Sequence, residues 1–424
     1  MRAFRLMALT VTILAAACAA RAAEGRPNII LIMADDLGAE CLESYGSASY
    51  KTPHLNRMAE EGMRFTNSHS MPLCTPSRVA IMTGKYNSRN YIAFGILDPK
   101  ETTFADYLKE AGYATGIVGK WQLCDSKDAP GVEGSHPLDT GFEDYLLWHY
   151  TKRGERYADP ELKQKDQDLE QHLGEYGPDL LNAFALNFIE EHKEEPFFLY
   201  YPMCLVHDPF QPTPDSDDWE DGDRKRKALK YFPDMVAYMD AMAGRVLDKV
   251  DELGLAERTL VIFTGDNGTD KDVTSRMQDG REVKGGKGST LDTGTHVPMI
   301  VRWKGVVEAG AVNENLVSFE DILPTLVETG GATLPEDAVV DGRSFLAQLR
   351  GDKTPTREWV YVPYNPVHGS VNRLVRYAHD AEWKLYGDGR LFNKRQDPDE
   401  RTPLPEDEAG DVRARLQAVL DTQP

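Results

Sequence analysis

Apolar runs of about six residues recur along the chain, and several stop abruptly at acidic, amide or basic positions. "PNIILIMADDLG" sets an unbroken apolar run before Asp35 and Asp36, the pattern of a parallel strand buried on both faces that ends at a site. Segments with helical periodicity alternate with these runs. "TPHLNRMAEEGMRF" and "TTFADYLKEAGYATGIVGKW" each predict a helix and then a strand, the second capped by Thr102 or Thr103 and stopped by Gly112. "LNAFALNFIEEHKEEPFFLYYPMCLVH" repeats the arrangement, as does "MVAYMDAMAGRVLDKVDELGLAERTLVIFTGDNG". Such alternation predicts an α/β fold. From about Phe345 the pattern changes to short strand-like pieces, "EWVYVPY", "RLVRYAHD" and "EWKLYGDGRLF", followed by an acidic tail. Residues 345–424 are therefore expected to form a smaller antiparallel subdomain. No internal repeat is visible. The polar stretches 153–172 and 211–230 read as solvated loops or exposed helices, the second placed to shape a pocket because it follows His207.

Four strand ends carry chemistry: Asp35 with Asp36, Lys120, His207, and Asp266 with Asn267. Each alone has an ordinary explanation, since acidic pairs in turns are usually solvated and lone histidines are usually structural. In open α/β sheets, however, ligands gather at the carboxyl ends of strands. Three carboxylates and an amide, all oxygen donors, suit a hard cation such as Ca²⁺ better than zinc. A further stretch, "MPLCTPSRVAIMTGKY", predicts a helix with Pro76 in its first turn, an apolar face at Val79–Met82 and a stop at Gly84. Cys74 then lies at a helix N-terminus, where free N–H groups and the helix dipole favour anions and activated nucleophiles. A cysteine is otherwise most often a buried hydrophobe or half of a disulfide.

Composition narrows the partners. A chain of 424 residues with a net charge of −21 disfavours nucleic acid or an anionic membrane as the main partner, and an anionic substrate would need a locally positive pocket. Arg2 and Arg5, the apolar run "LMALTVTILAAACAA" and the small residues of "ARAA" read as a signal peptide over 1–22, too short for a stable membrane span. The protein is accordingly expected to be periplasmic or secreted, with a catalytic domain over 23–344. Cys18 weakly resembles a lipoprotein site, with Ala15 where leucine is usual. If Cys74 is catalytic, Cys41, Cys124 and Cys204 allow one disulfide at most.

With these motifs in place, the chain resembles the sulfatase family, the formylglycine-dependent branch of the alkaline-phosphatase-like superfamily. "CTPSRVAIMTG" matches the family signature C-x-P-S-R followed by T-G, and it stands in order with "GKW", "FTGDNG" and "GGKGSTLDTGTHVP". The resemblance implies a mixed central sheet flanked by helices. It also implies that a maturation enzyme oxidises Cys74 to formylglycine, whose hydrate offers two hydroxyls. One would attack sulfur; the other, once deprotonated, would collapse to the aldehyde and expel sulfate. By the same resemblance Asp35, Asp36, Asp266 and Asn267, with the modified Cys74, hold Ca²⁺. Arg78 supports the diol, Lys120 and Lys287 hold sulfate oxygens, and His207, with Lys287, protonates the leaving alcohol.

Two departures stand out. Where the family usually reads G-K-W-H, this chain has "GKWQ", so Gln122 replaces a histidine that contacts the diol, and an amide cannot take its proton. "DTGTH" replaces the common E-G-G-x-R near Lys287. Rival readings are a phosphodiester or phosphonate ester hydrolase and a silent glycan-binding protein. A two-zinc phosphatase is disfavoured because its additional histidine ligands are missing. The substrate class expected is a sulfated carbohydrate or an aryl sulfate, with Gln122, Trp148, His149, His368 and Arg373 as candidate contacts.

Overall fold

The computed structural model describes residues 25–126, 129–220, 222–365 and 374–424. The signal-peptide pattern, Cys18, His368 and Arg373 lie outside them. Eight strands come first in chain order: β1 (Asn28–Ala34), β2 (Met63–His69), β3 (Ala114–Lys120), β4 (Asp144–Trp148), β5 (Glu161–Gln164), β6 (Leu169–Gln171), β7 (Phe197–Pro202) and β8 (Thr259–Gly265). A small hairpin of β9 (Thr274–Arg276) and β10 (Glu282–Lys284) follows, then β11 (Met299–Arg302) and β12 (Ala311–Ser318). Ten of these form one sheet in the order β12-β2-β11-β8-β1-β7-β3-β4-β5-β6. Its centre, β8-β1-β7-β3-β4, is parallel, and β11, β5 and β6 join antiparallel. This is the mixed central sheet that the resemblance implied.

The apolar run of β1 is buried throughout because helices cover both faces. Ile29, Leu31 and Met33 point into one core, Ile30 and Ile32 into the other. Helices Cys74–Thr83, Phe104–Glu110 and Ile322–Thr329 cover the first face; Pro53–Glu60, Gly177–Glu191 and Phe232–Glu252 cover the second. Thr103 is the cap of the Phe104–Glu110 helix, in a capping box with Asp106. Among the described residues no helix is long and apolar enough to cross a membrane.

A second, antiparallel sheet contains β13 (Val360–Tyr364), β14 (Val375–His379), β15 (Trp383–Tyr386) and β16 (Leu391–Asn393). Strand alternation gives it two buried faces. Val360, Val362 and Tyr377 pack on the first core, whereas Tyr361, Ala378 and Leu385 pack on the final helix, Gly410–Thr422. The expected acidic tail therefore contains a docked helix, which buries Leu416, Val419 and Leu420. Its apolar stripe is narrow, so local composition conceals it.

Neither polar stretch is simply solvated. Residues 153–172 supply β5 and β6 and bury Arg156 and Tyr157; residues 211–230 bury Gln211, Thr213, Ser216 and Trp219. None of Cys41, Cys74, Cys124 and Cys204 is in a disulfide.

Glu320 has a stability consequence. It is fully buried in the turn Phe319–Asp321. Its Oε2 accepts from the Ser318 hydroxyl, Oε1 has no hydrogen-bond partner, and burial pushes its carboxyl up to about 7. A carboxyl raised on folding binds its proton more tightly in the native state. Its contribution is thus favourable at acid pH and is lost as pH rises from about 4 towards 7. Glu320→Gln should flatten that slope and melt above the parent at about pH 8, with the two converging near pH 4; melting curves across this range test it.

Candidate active site

The carboxyl ends of the parallel strands converge on one polar cluster. Asp35 and Asp36 follow β1, Lys120 ends β3, His207 lies in the loop after β7, and Asp266 and Asn267 follow β8. Gly119 allows the approach of β3 to β7: at φ +124°, a Cβ there would stand 2.0 Å from the Pro202 carbonyl oxygen. Cys74 begins its helix, and Arg78 projects one turn later. Gly84 ends that helix in the left-handed conformation.

Charge is paired closely. Lys120 Nζ donates to both Asp35 oxygens at 2.9 and 2.8 Å. Arg78 Nη2 donates to Asp266 Oδ2 at 2.9 Å and lies 3.7 Å from Asp35 Oδ1. Lys287 donates to Asp36 Oδ2, and its Nζ is 3.0 Å from His207 Nε2. Asp36 N donates to Asp266 Oδ1 at 2.9 Å, and Asn267 Nδ2 donates to Asp36 Oδ1 at 2.8 Å.

Burial works against the charged form of Asp35, yet Lys120, His207, Arg78 and Arg156 hold its carboxyl well below the usual range. Burial and the like charge of Asp35 push Asp266 up, opposed by Arg78 and Lys120. Burial lowers Lys287, but Asp36, Cys74 and Asp35 outweigh it and keep the amine charged. The Cys74 thiol is raised by burial in spite of Lys120 and Lys287. The helix N-terminus does not make it a thiolate, so as cysteine it is a poor nucleophile at neutral pH.

The donor chemistry suits a hard cation. Ligand atoms of Asp35, Asp36 and His207 lie within 4.8 Å of one another. Asn267 Oδ1, next to Asp36, is buried with no hydrogen-bond partner, an acceptor awaiting a positive group. A divalent cation among these oxygens would relieve the repulsion between Asp35 and Asp266.

The His207 tautomer follows from its neighbours. Nδ1 is 2.6 Å from the Asp208 carbonyl oxygen, which can only accept, so Nδ1 carries hydrogen and Nε2 is left facing Lys287 and, at 3.6 Å, Asp36. Tyr157 donates its hydroxyl to the carbonyls of Cys204 and His207 at 2.8 and 2.5 Å, fixing that loop.

Three strand ends turn through left-handed non-glycine residues: Asp36 (φ 60°), Gln122 (φ 55°) and His149 (φ 57°). Such positions cost about 1–3 kcal/mol each and concentrate at functional sites. Gln122 N donates to the His149 carbonyl at 3.0 Å, so the chain just past β3 stays paired with the chain just past β4 beside Lys120. Trp148 is buried, and the Arg156 guanidinium sits 3.9 Å from its ring centroid, which makes Trp148 a support for Arg156.

Arg156 itself escaped the sequence reading. It belongs to "KRGERYADP", whose polarity suggests a solvated loop and which carries no motif. The fold nonetheless buries it with Nη1 3.9 Å from Asp35 Oδ2.

Comparison with known proteins follows the same outline. Residues 27–332 match the family model described as sulfatase, and residues 287–423 match that described as N-sulphoglucosamine sulphohydrolase, C-terminal. An arylsulfatase of Hemicentrotus pulcherrimus is 31% identical over 366 residues, 79% of this chain and 64% of that relative, so this chain spans less than two thirds of its length. The N-acetylgalactosamine-6-O-sulfatase of Bacteroides thetaiotaomicron is 30% identical over 85% of this chain and 82% of its own. Among solved structures, Ps i-CgsB superposes with a TM-score of 0.79 at 24% identity, covering 93% of this chain and 92% of that one. It has also been solved with k-i-k-neocarrahexaose.

Proposed function

The chain belongs to the sulfatase family, and we propose that it hydrolyses a sulfate ester of a carbohydrate, using a hydrated formylglycine at position 74 and Ca²⁺. The observation that carries this reading is the position of Cys74: a buried helix N-terminus beside Lys120 and Lys287 and the carboxylates of Asp35 and Asp266. A neutral thiol there has little use as a nucleophile, whereas a pair of hydroxyls at the same atom could both attack and release.

Asp35, Asp36, Asp266 and Asn267 would hold the cation, which when bound polarises the diol and a sulfate oxygen. Arg78, anchored on Asp266, keeps a guanidinium beside the reacting oxygen. Lys120 and Lys287 present charged amines to the sulfate oxygens and supply the local positive pocket that an acidic protein needs for an anionic ester. His207 Nε2, once protonated, donates to the departing alcohol, its ring held through Nδ1 by Asp208. Gln122 orients a hydroxyl by hydrogen bonding and takes no proton; Lys120, Lys287 and a bound cation would lower that hydroxyl's pKa, and its proton would pass to a solvent water.

A sulfated carbohydrate is favoured by the named substrate of the Bacteroides relative. A formylglycine-generating maturation enzyme is the second partner implied, and the residue 1–22 pattern implies a secreted or periplasmic protein. The test is a panel of sulfated sugars and an aryl sulfate alongside matched phosphonate and phosphodiester substrates, using matured protein. Sulfate turnover should dominate, disappear after exhaustive chelation and return with Ca²⁺. Preferential cleavage of the phosphorus esters, or full activity without metal, would overturn the reading.

A further inference from the structure

We propose that Arg156 is a substrate-anchoring residue, its guanidinium donating to oxygens of the bound sulfate ester on the Asp35 side of the site; this rests on the sulfate-ester reading above. Arg156 is 4% exposed, and its Nη1 is buried with no hydrogen-bond partner. The nearest carboxylate oxygen, Asp35 Oδ2, is 3.9 Å from Nη1, beyond hydrogen-bond reach. A guanidinium cannot shed its proton to escape this position. The donor is therefore held ready for a partner that approaches from the site.

Of the four side chains that hold the Asp35 carboxyl down, Arg156 contributes least. Lys120 already bonds both of its oxygens, and Arg78 lies 3.7 Å away. Arg78, Lys120 and Arg156 are buried against Asp35 and Asp266, and the partly exposed Lys287 meets Asp36, near which Asp208 and Asp270 also lie.

The geometry also suits oxygen recognition. The guanidinium carbon lies 3.9 Å from the Trp148 ring centroid and 5.8 Å from that of Tyr157, which holds the fork in place. Tyr157 in turn bonds the His207 carbonyl, so the fork and the histidine loop share a support. A planar fork offers two parallel donors to two oxygens of a sulfate, or to one sulfate oxygen and a neighbouring hydroxyl.

The test compares wild type with Arg156→Gln and Arg156→Lys. Inorganic sulfate is the probe, followed by calorimetry and by Trp148 emission, beside steady-state hydrolysis of an aryl sulfate. Arg156→Gln should weaken sulfate binding and raise KM together, by about tenfold or more, with melting temperature and Ca²⁺ affinity unchanged. Arg156→Lys should recover only part of the loss, since an ammonium keeps the charge and loses the fork. Unchanged sulfate affinity and KM in Arg156→Gln would overturn the inference while leaving sulfate hydrolysis intact. So would losses confined to melting temperature or metal affinity, which mark a structural prop. A wild-type protein that cleaves no sulfate ester would overturn the underlying reading, and this inference with it.

Discussion

Cys74→Ala should abolish turnover, by about 10⁴-fold or more, while leaving the protein folded. The side chain is buried and its thiol is held neutral by desolvation, so its removal deletes a small hydrophobe and costs about 1–2 kcal/mol. Cys74→Ser is the sharper control where the maturation system does not convert serine. One hydroxyl supplies the attacking atom but not the second one needed for release, so a single turnover followed by arrest is expected. Peptide mass spectrometry of active protein should find an aldehyde at position 74. Full activity in a preparation carrying only unmodified cysteine there would refute the mechanism.

A second large effect is expected at His207. His207→Gln should lower kcat by about 10²–10⁴-fold on a sugar sulfate, whose alkoxide is a poor leaving group, and far less on a nitrophenyl sulfate, whose phenolate leaves without a proton. The ring is built for this: Nδ1 is occupied by Asp208, and Nε2 stands 3.0 Å from Lys287 Nζ. Comparing the two substrates in both proteins separates acid catalysis from positioning. Equal losses on both would mean that His207 only holds Lys287 in place.

The parallel centre of the sheet was legible because β1, β7 and β8 are buried on both faces and read as apolar runs ending at polar residues. The same endings brought Asp35, Asp36, Lys120, His207, Asp266 and Asn267 together, since parallel strands deliver their carboxyl ends to one edge. Lys287 and Arg78 were reached only through motif resemblance. Arg156 was not legible at all: Asp35 is far away in sequence, and nothing in the nearby Trp148 signals that a guanidinium will be buried against it. β5 and β6 were hidden for a related reason, because an edge hairpin rich in charge lacks the apolar alternation that marks a half-buried strand. The final helix was obscured by the acidic run Glu406, Asp407 and Glu408 just before it and by having only three buried side chains.

The burial of Cys74 also imposes an order in time. The residue is only 2% exposed, under a site closed partly by later chain: Lys287 lies over Asp36, and Tyr364 reaches the Gly288 carbonyl at 3.3 Å. An oxidising enzyme would find no path to the sulfur once these segments have docked. Most of the 424 residues follow Cys74, so at roughly 5–20 residues per second the nascent chain leaves it uncovered for tens of seconds. If position 74 is converted as proposed, conversion would belong to that interval, and a copy that folded first would keep its thiol out of reach. The fraction of active molecules would then be set by a race during synthesis, and slowing translation would raise it.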